Sequence, residues 1–202
     1  MYKTGKSIVL LLFLLSCQNT PAHHPDTRAQ VNEARGLVKQ FAGTLKPMLV
    51  EHLKKDGPTG AIRVCREAAP RIARELSERS GWIVKRVSHR ARNKDTAVPD
   101  AWETKVLQKF LALREKGADA DTLEYHEMIR LADGTEEFRY MKAQKTLKLC
   151  LTCHGKNVSP DVLQSLNTLY PEDAARGFEL GDVRGAFSLT FKPDDGPKRD
   201  SN

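Results

Sequence analysis

Between Ala29 and Lys55, the apolar residues Val31, Ala34, Leu37, Val38, Phe41, Leu45, Leu49 and Leu53 recur at intervals of three and four. That period places them along one face of a long α-helix. Pro47 is expected to kink it, and Gly57-Pro58 to stop it. Thr59 is placed to cap a short second helix carrying Ile62, Val64 and Cys65, and Pro70 to start a third that runs to about Ser80. The period then changes. From Gly81 to His89, Trp82, Val84 and Arg86 alternate with Ile83, Lys85 and Val87, the pattern of a strand. After a polar loop from Arg90 to Pro99, Asp100 caps a helix through Trp102, Val106, Leu107, Phe110 and Leu113 that ends near Gly117. Leu123 to Leu131 and Glu136 to Ala143 read as strands joined by Asp133-Gly134, a hairpin signal. A helical, turn-rich stretch leads to a last strand from Gly185 to Phe191, with Ala186, Leu189 and Phe191 available for a core. Helices leading into an antiparallel sheet predict an α+β domain.

One apolar segment does not belong to that core. Lys3 and Lys6 precede an unbroken run from Ile8 to Leu15, too short to cross a bilayer as a helix. The run ends in Leu14-Leu15-Ser16-Cys17, similar to the cleavage signal of bacterial lipoproteins, in which the cysteine receives diacylglycerol and becomes the first residue. An ordinary secretory signal cut near Ala22 is the other reading. Both place the mature protein outside the cytoplasm. The expected location is the periplasmic side of a bacterial membrane, through a lipid on Cys17; Gln18 in place of an aspartate gives no signal for inner-membrane retention, a rule that holds in some bacteria, and favours the outer membrane over the inner. Residues 1–16 are then the leader and 17–28 a polar tether that includes His23 and His24. Residues 29–192 form one domain and 193–202 a disordered tail.

Charge narrows the partners. The formal net charge of +7 falls by two when Lys3 and Lys6 leave with the leader. The remaining basic residues are scattered among 26 acidic ones, with no block of one sign. Nucleic acid is therefore not an expected partner. A solvated basic surface suits docking to an acidic redox protein.

The candidate chemistry is concentrated in Cys150-Leu151-Thr152-Cys153-His154. Two cysteines three apart with a histidine directly after them form the attachment pattern of a c-type haem. On one helical turn Cys150 and Cys153 share a face. Each thiol can then add to a porphyrin vinyl group, and the His154 imidazole can reach the iron. A thioredoxin-like redox pair has no need of the histidine, and a zinc site would show a second ligand pair at recognisable spacing. One covalent haem c is the expected cofactor, seated between sheet and helices.

The ligand opposite His154 is open at this stage. Met48, His52, Cys65, His89, His126, Met128 and Met141 are the candidates. With Cys17 taken by lipid and Cys150 and Cys153 by haem, Cys65 has no disulfide partner, so it is either a buried inert thiol or a thiolate ligand. Arg63 and Arg66 flank it in sequence and are expected to steady an anion there, unless one of them points outward. Arg86 and Arg92 are candidate partners for the haem propionates. Trp82 and Trp102 are expected to serve the core.

The order of several short segments resembles a bacterial family of haem c proteins with a PAS-like fold, long known as a domain of unknown function. The segments are Val64-Cys65-Arg66-Glu67-Ala68-Ala69-Pro70, Gly81-Trp82 through Arg86-Val87-Ser88, Arg92-Asn93, Pro99-Asp100-Ala101-Trp102-Glu103, the haem motif, and Gly181-Asp182-Val183-Arg184-Gly185-Ala186-Phe187-Ser188. They extend over roughly residues 30–192. The resemblance implies a PAS-like antiparallel sheet with helices around a covalent haem, and Cys65 as the distal ligand. A His/Cys haem would have a low potential and no open coordination position. It suits a redox sensor or a low-potential electron-transfer protein. The alternative is an open-site enzyme, peroxidase-like or nitrogen-oxide reducing, with His52 or His126 as the distal group.

Overall fold

Four antiparallel strands in the order β1-β4-β3-β2 form the centre of the domain: β1 (Ile83–Val87), β2 (Glu124–Arg130), β3 (Glu136–Lys145) and β4 (Val183–Phe191). The computed structural model describes residues 27–193. The expected leader, most of the tether with Cys17, and nearly all of the tail lie outside them. Two helices, α1 (Arg28–Lys55) and α2 (Gly57–Ser80), pack on one face of the sheet; after a single helical turn, α3 (Lys94–Ala97), α4 (Ala101–Glu115) lies on the other. The fold is α+β, consistent with a PAS-like arrangement.

The period of two along the strands sorts their side chains. Trp82, Val84, Phe138, Tyr140, Phe187 and Leu189 face α1 and α2, where they meet Leu37, Phe41, Ile72 and Leu76. Val87, Met141, Ala143 and Ala186 face α4 and meet Val106, Leu107 and Phe110. Trp82 is 1% exposed and packs edge-on to Phe138, as a core residue should. Trp102 is only half-buried, lying against Tyr125 with the Arg139 guanidinium 4.4 Å from its ring. The β2–β3 turn closes at Gly134, whose φ of 87° is the left-handed conformation glycine adopts freely. Asp100 caps α4 with Glu103 in a reciprocal capping box.

Two expectations are corrected in the helical layer. Cys65 and Pro70 belong to one helix, α2, which begins at Gly57 with Pro58 in its first turn, not at a Thr59 cap. Pro70 removes one intrahelical hydrogen bond, a penalty of about 3 kcal/mol. Ala68 and Ala69 before it and Ile72 and Leu76 after it enter the same core, and that shared burial keeps the helix continuous. Likewise α1 extends through Pro47.

A second irregularity positions the site. Gln144 pairs with Gly185, but Lys145 pairs with Val183, so β4 carries one extra residue, Arg184, at this bulge. Gly185 lies close against β1: a Cβ there would sit 2.4 Å from the Val87 carbonyl oxygen. The bulge breaks the alternation, so that Arg184 and Phe187, three apart, both line the same cavity.

Candidate cofactor site

A cavity of about 700 Å3 lies between the helical hairpin, the sheet and the segment that carries the two close cysteines. That volume is in the range of sites that enclose a cofactor. Phe41, Leu45, Leu49 and Leu53 of α1 form one wall, and Ala61, Ile62, Cys65 and Ala69 of α2 another. The α2 residues lie three and four apart, so the helical repeat alone turns them to one side. Cys150, Cys153 and His154 line the opposite part. A single 3-10 turn (Lys148–Cys150) runs into the short helix α5 (Leu151–His154), which puts both cysteines and the histidine on successive turns at the cavity.

Of the seven candidates for a ligand opposite His154, Cys65 alone lines this cavity. Met141 is fully buried in the α4 layer, and Met48 and Met128 pack against the other core. His52 Nδ1 sits 2.6 Å from the Asp56 carboxylate. His89 is exposed, and so is His126, which lies against Phe138 on β2. Cys65, Cys150 and Cys153 are free, half-buried thiols. Burial pushes the Cys153 thiol up to about 11 and raises that of Cys65. At Cys65 three arginines oppose the burial effect, Arg86, Arg184 and Arg92. Arg63 and Arg66 are exposed; Arg66 extends over the Tyr170 ring, its guanidinium carbon 6.0 Å from the centroid. Arg66 borders the cavity and Arg63 does not, and the cations that act on Cys65 come from the sheet and the following loop. Neighbours in helical sequence point to different faces, whereas the sheet faces Cys65 directly.

Arg86 and Arg184 are the site's unusual feature. Both line the cavity, and desolvation is the largest influence on each guanidinium. Burial and the neighbouring Arg184 bring Arg86 down to about 10. Among the described residues no carboxylate pairs with either one, and Arg184 Nε is buried without a hydrogen-bond partner. Arg86 instead lies over the Phe41 ring at 5.2 Å. Two desolvated cations facing one cavity are unfavourable unless an anion enters it. A haem, with two carboxylates, an iron for His154 and Cys65, and vinyl groups for Cys150 and Cys153, fits this donor set.

Arg92 also lines the cavity, but its bonds run behind His154. Its Nε donates to Asp173 Oδ1 at 3.1 Å, and one Nη donates to the carbonyls of Cys153 at 2.5 Å and Ala175 at 3.1 Å. His154 Nδ1 is 2.8 Å from the same Ala175 oxygen. Bonded there, Nδ1 carries the proton and leaves Nε2 as the free donor. Burial, with Arg184 and Arg92 nearby, keeps the imidazole neutral, its pKa well below the ordinary histidine value. The stretch Asp173–Phe178 is stitched to the haem motif by Phe178 N to His154 O and Gly177 N to Gly155 O, both 2.9 Å. The sequence reading missed Asp173 and Ala175, which no motif marks, and gave Arg184 no role although it lies in a family-like segment; their roles arise from a bulge and a loop crossing.

Comparison with known proteins places this arrangement. A family model described as Tll0287-like matches residues 18–192. The crystal structure of the cyanobacterial heme-protein Tll0287 superposes with a TM-score of 0.58 at 20% identity, covering 84% of this chain and 97% of that one. No curated protein matches the chain.

Proposed function

The chain belongs to the Tll0287-like family, and from that membership and the cavity we propose that it is an exported mono-haem c-type cytochrome with His154 and Cys65 as axial ligands. The observation that carries the reading is the cavity lining. Its sulfur and imidazole side chains are Cys65, Cys150, Cys153 and His154, the set a covalent His/Cys haem requires. Cys150 and Cys153 hold the porphyrin by thioethers. Arg86 and Arg184 take its carboxylates. The haem supplies one-electron chemistry at its iron.

The chain's own contribution is to seat, orient and tune. α2 and α5 approach the cavity from different sides, each carrying one ligand. With both in place no coordination position is left for a substrate, which suits electron transfer or redox sensing at low potential. His52 and His126, the distal groups an open-site enzyme would need, stand outside the cavity lining. The leader and Cys17 support anchoring to the periplasmic side of a bacterial membrane, outer more than inner. A redox protein with an acidic docking surface is the partner that the basic chain suits.

The test is production of the mature protein with c-type haem maturation machinery. Haem should stay with the polypeptide through denaturation and acid–acetone extraction, and should be lost in Cys150→Ala/Cys153→Ala. Haem that extracts freely from the parent protein defeats the reading.

A further inference from the structure

The Ala175 carbonyl oxygen receives two donors at once. His154 Nδ1 lies 2.8 Å away and Arg92 Nη2 3.1 Å away. The same Nη2 donates to the carbonyl of Cys153, one of the two attachment residues. Asp173 makes the arrangement rigid. Its carboxylate, 0% exposed, accepts from Arg92 Nε at 3.1 Å and from the Ala175 backbone N–H at 2.9 Å, and Arg176 Nε lies 3.4 Å from it. Asp173 thus holds the N–H of Ala175, and Arg92 its carbonyl. Arg92's own segment is tied in as well, since Ala174 N donates to Ala91 O at 3.1 Å.

We propose that Arg92 is a positioning residue for His154: clamped by Asp173, it shares the Ala175 carbonyl with the imidazole and so fixes both the ring's orientation and its strength as a donor to iron. This rests on the haem reading above. The chemistry is a competition at one oxygen. A carbonyl has two lone pairs, and a guanidinium is a charge-assisted donor. By drawing on the oxygen, Arg92 weakens its pull on the Nδ1 proton. The imidazole then has less imidazolate character and gives less electron density to the metal than one bonded to an unshared carbonyl. Partners behind a metal-bound histidine set its orientation and basicity in this way. Because Arg92 and Asp173 are largely buried, salt screens the arrangement little.

The experiment compares holoprotein carrying Arg92→Gln and Arg92→Lys with the parent, by reduction potential and by the electron paramagnetic resonance of the ferric state. Lysine keeps the charge but lacks the planar fork that reaches Asp173 and two carbonyls together. Both variants should keep covalent haem, lower the potential and change the g-value spread. If Arg92→Lys matches the parent and Arg92→Gln alone shifts, Arg92 acts only as a charge and the proposal falls. It also falls if neither shifts. Should the variants fail to fold, the parent still decides: in the low-spin reduced protein the Arg92 Nε proton, followed by NMR, should exchange slowly, and rapid exchange overturns the proposal. Loss of covalent haem from the parent itself would mean that the haem reading had failed instead.

Discussion

Ser188 Oγ donates a 2.6 Å hydrogen bond to Glu103 Oε1, linking β4 to the first turn of α4 where both residues are 1% exposed or less. The carboxylate also meets Lys85 Nζ at 2.9 Å and Arg139 Nη2 at 3.3 Å, and accepts the Asp100 backbone N–H at 2.8 Å. One buried anion thereby joins β1, β3, β4 and α4. Glu103→Leu removes the acceptor that Ser188, Lys85 and Arg139 share, leaving Arg139 with Asp100 at 2.6 Å, and is expected to lower unfolding free energy by about 3 kcal/mol. Glu103→Gln should lose less, about 1–3 kcal/mol. Urea titration gives both values.

Cys65→Ala should keep covalent haem, since Cys150 and Cys153 remain. It should open the iron, shift the ferric state from low toward high spin, raise the potential and let carbon monoxide bind the reduced protein more readily. An unchanged spectrum, potential and carbon monoxide affinity would make Cys65 a packing residue.

Arg86→Met and Arg184→Met each remove a cation from the cavity wall. Each should lower the stability of the haem-loaded domain by about 1.5–3 kcal/mol, the worth of a hydrogen bond to a charged group, and lower the potential. Arg63→Gln, on the exposed side of α2 and outside the cavity lining, should leave the potential where it is. An equal effect from Arg63→Gln would refute the assignment of the cavity arginines.

Glu124 provides a pH-dependent contribution. Hydrogen bonding from Arg35, then from the Tyr140 hydroxyl at 2.7 Å, holds its carboxyl below the ordinary carboxylate value. Unfolded, it titrates near ~4.3. Its stabilising effect is therefore complete above that pH and disappears as pH falls through the lower native value. Glu124→Gln should flatten the stability profile below about pH 4.5, measured by thermal melting. An unaltered slope would show that the pair contributes nothing.

Cys17→Ser should abolish lipid attachment, moving the protein from the detergent phase to the aqueous phase or leaving an uncleaved precursor. An intact mass in the native host that begins beyond Cys17, with no lipid, would disprove the anchor.

Local signals in the chain were legible where the chemistry is local. Asp133-Gly134 marked the hairpin, Asp100 marked the start of α4, and the close cysteines with His154 marked one wall of the cavity. Pro70 misled, because its penalty is local whereas the burial of Ala69 and Ile72 that offsets it is tertiary. The cations that act on Cys65 are hard to read for the same reason. Arg63 and Arg66 are neighbours along the chain, and of the two only Arg66 borders the cavity, whereas Arg86 and Arg184 are neighbours across space. Arg184 lies in one of the family-like segments, but its direction depends on a bulge defined by how β3 and β4 pair. Asp173 and Ala175 sit in an irregular loop with no periodicity to read.

The cavity walls come from α1, α2, β1, the Arg92 loop, the end of β3, the cysteine segment and β4. No continuous stretch of the chain forms a complete enclosure. On the haem reading, the prosthetic group is the last piece of the domain's interior, arriving from outside the polypeptide. A chain that has missed it keeps an unfilled centre of about 700 Å3 facing two repelling guanidinium groups, and is easier to open. Maturation and structural integrity are then one event. On that reading the domain would carry its own proofreading: the copies that endure would be those that have been loaded.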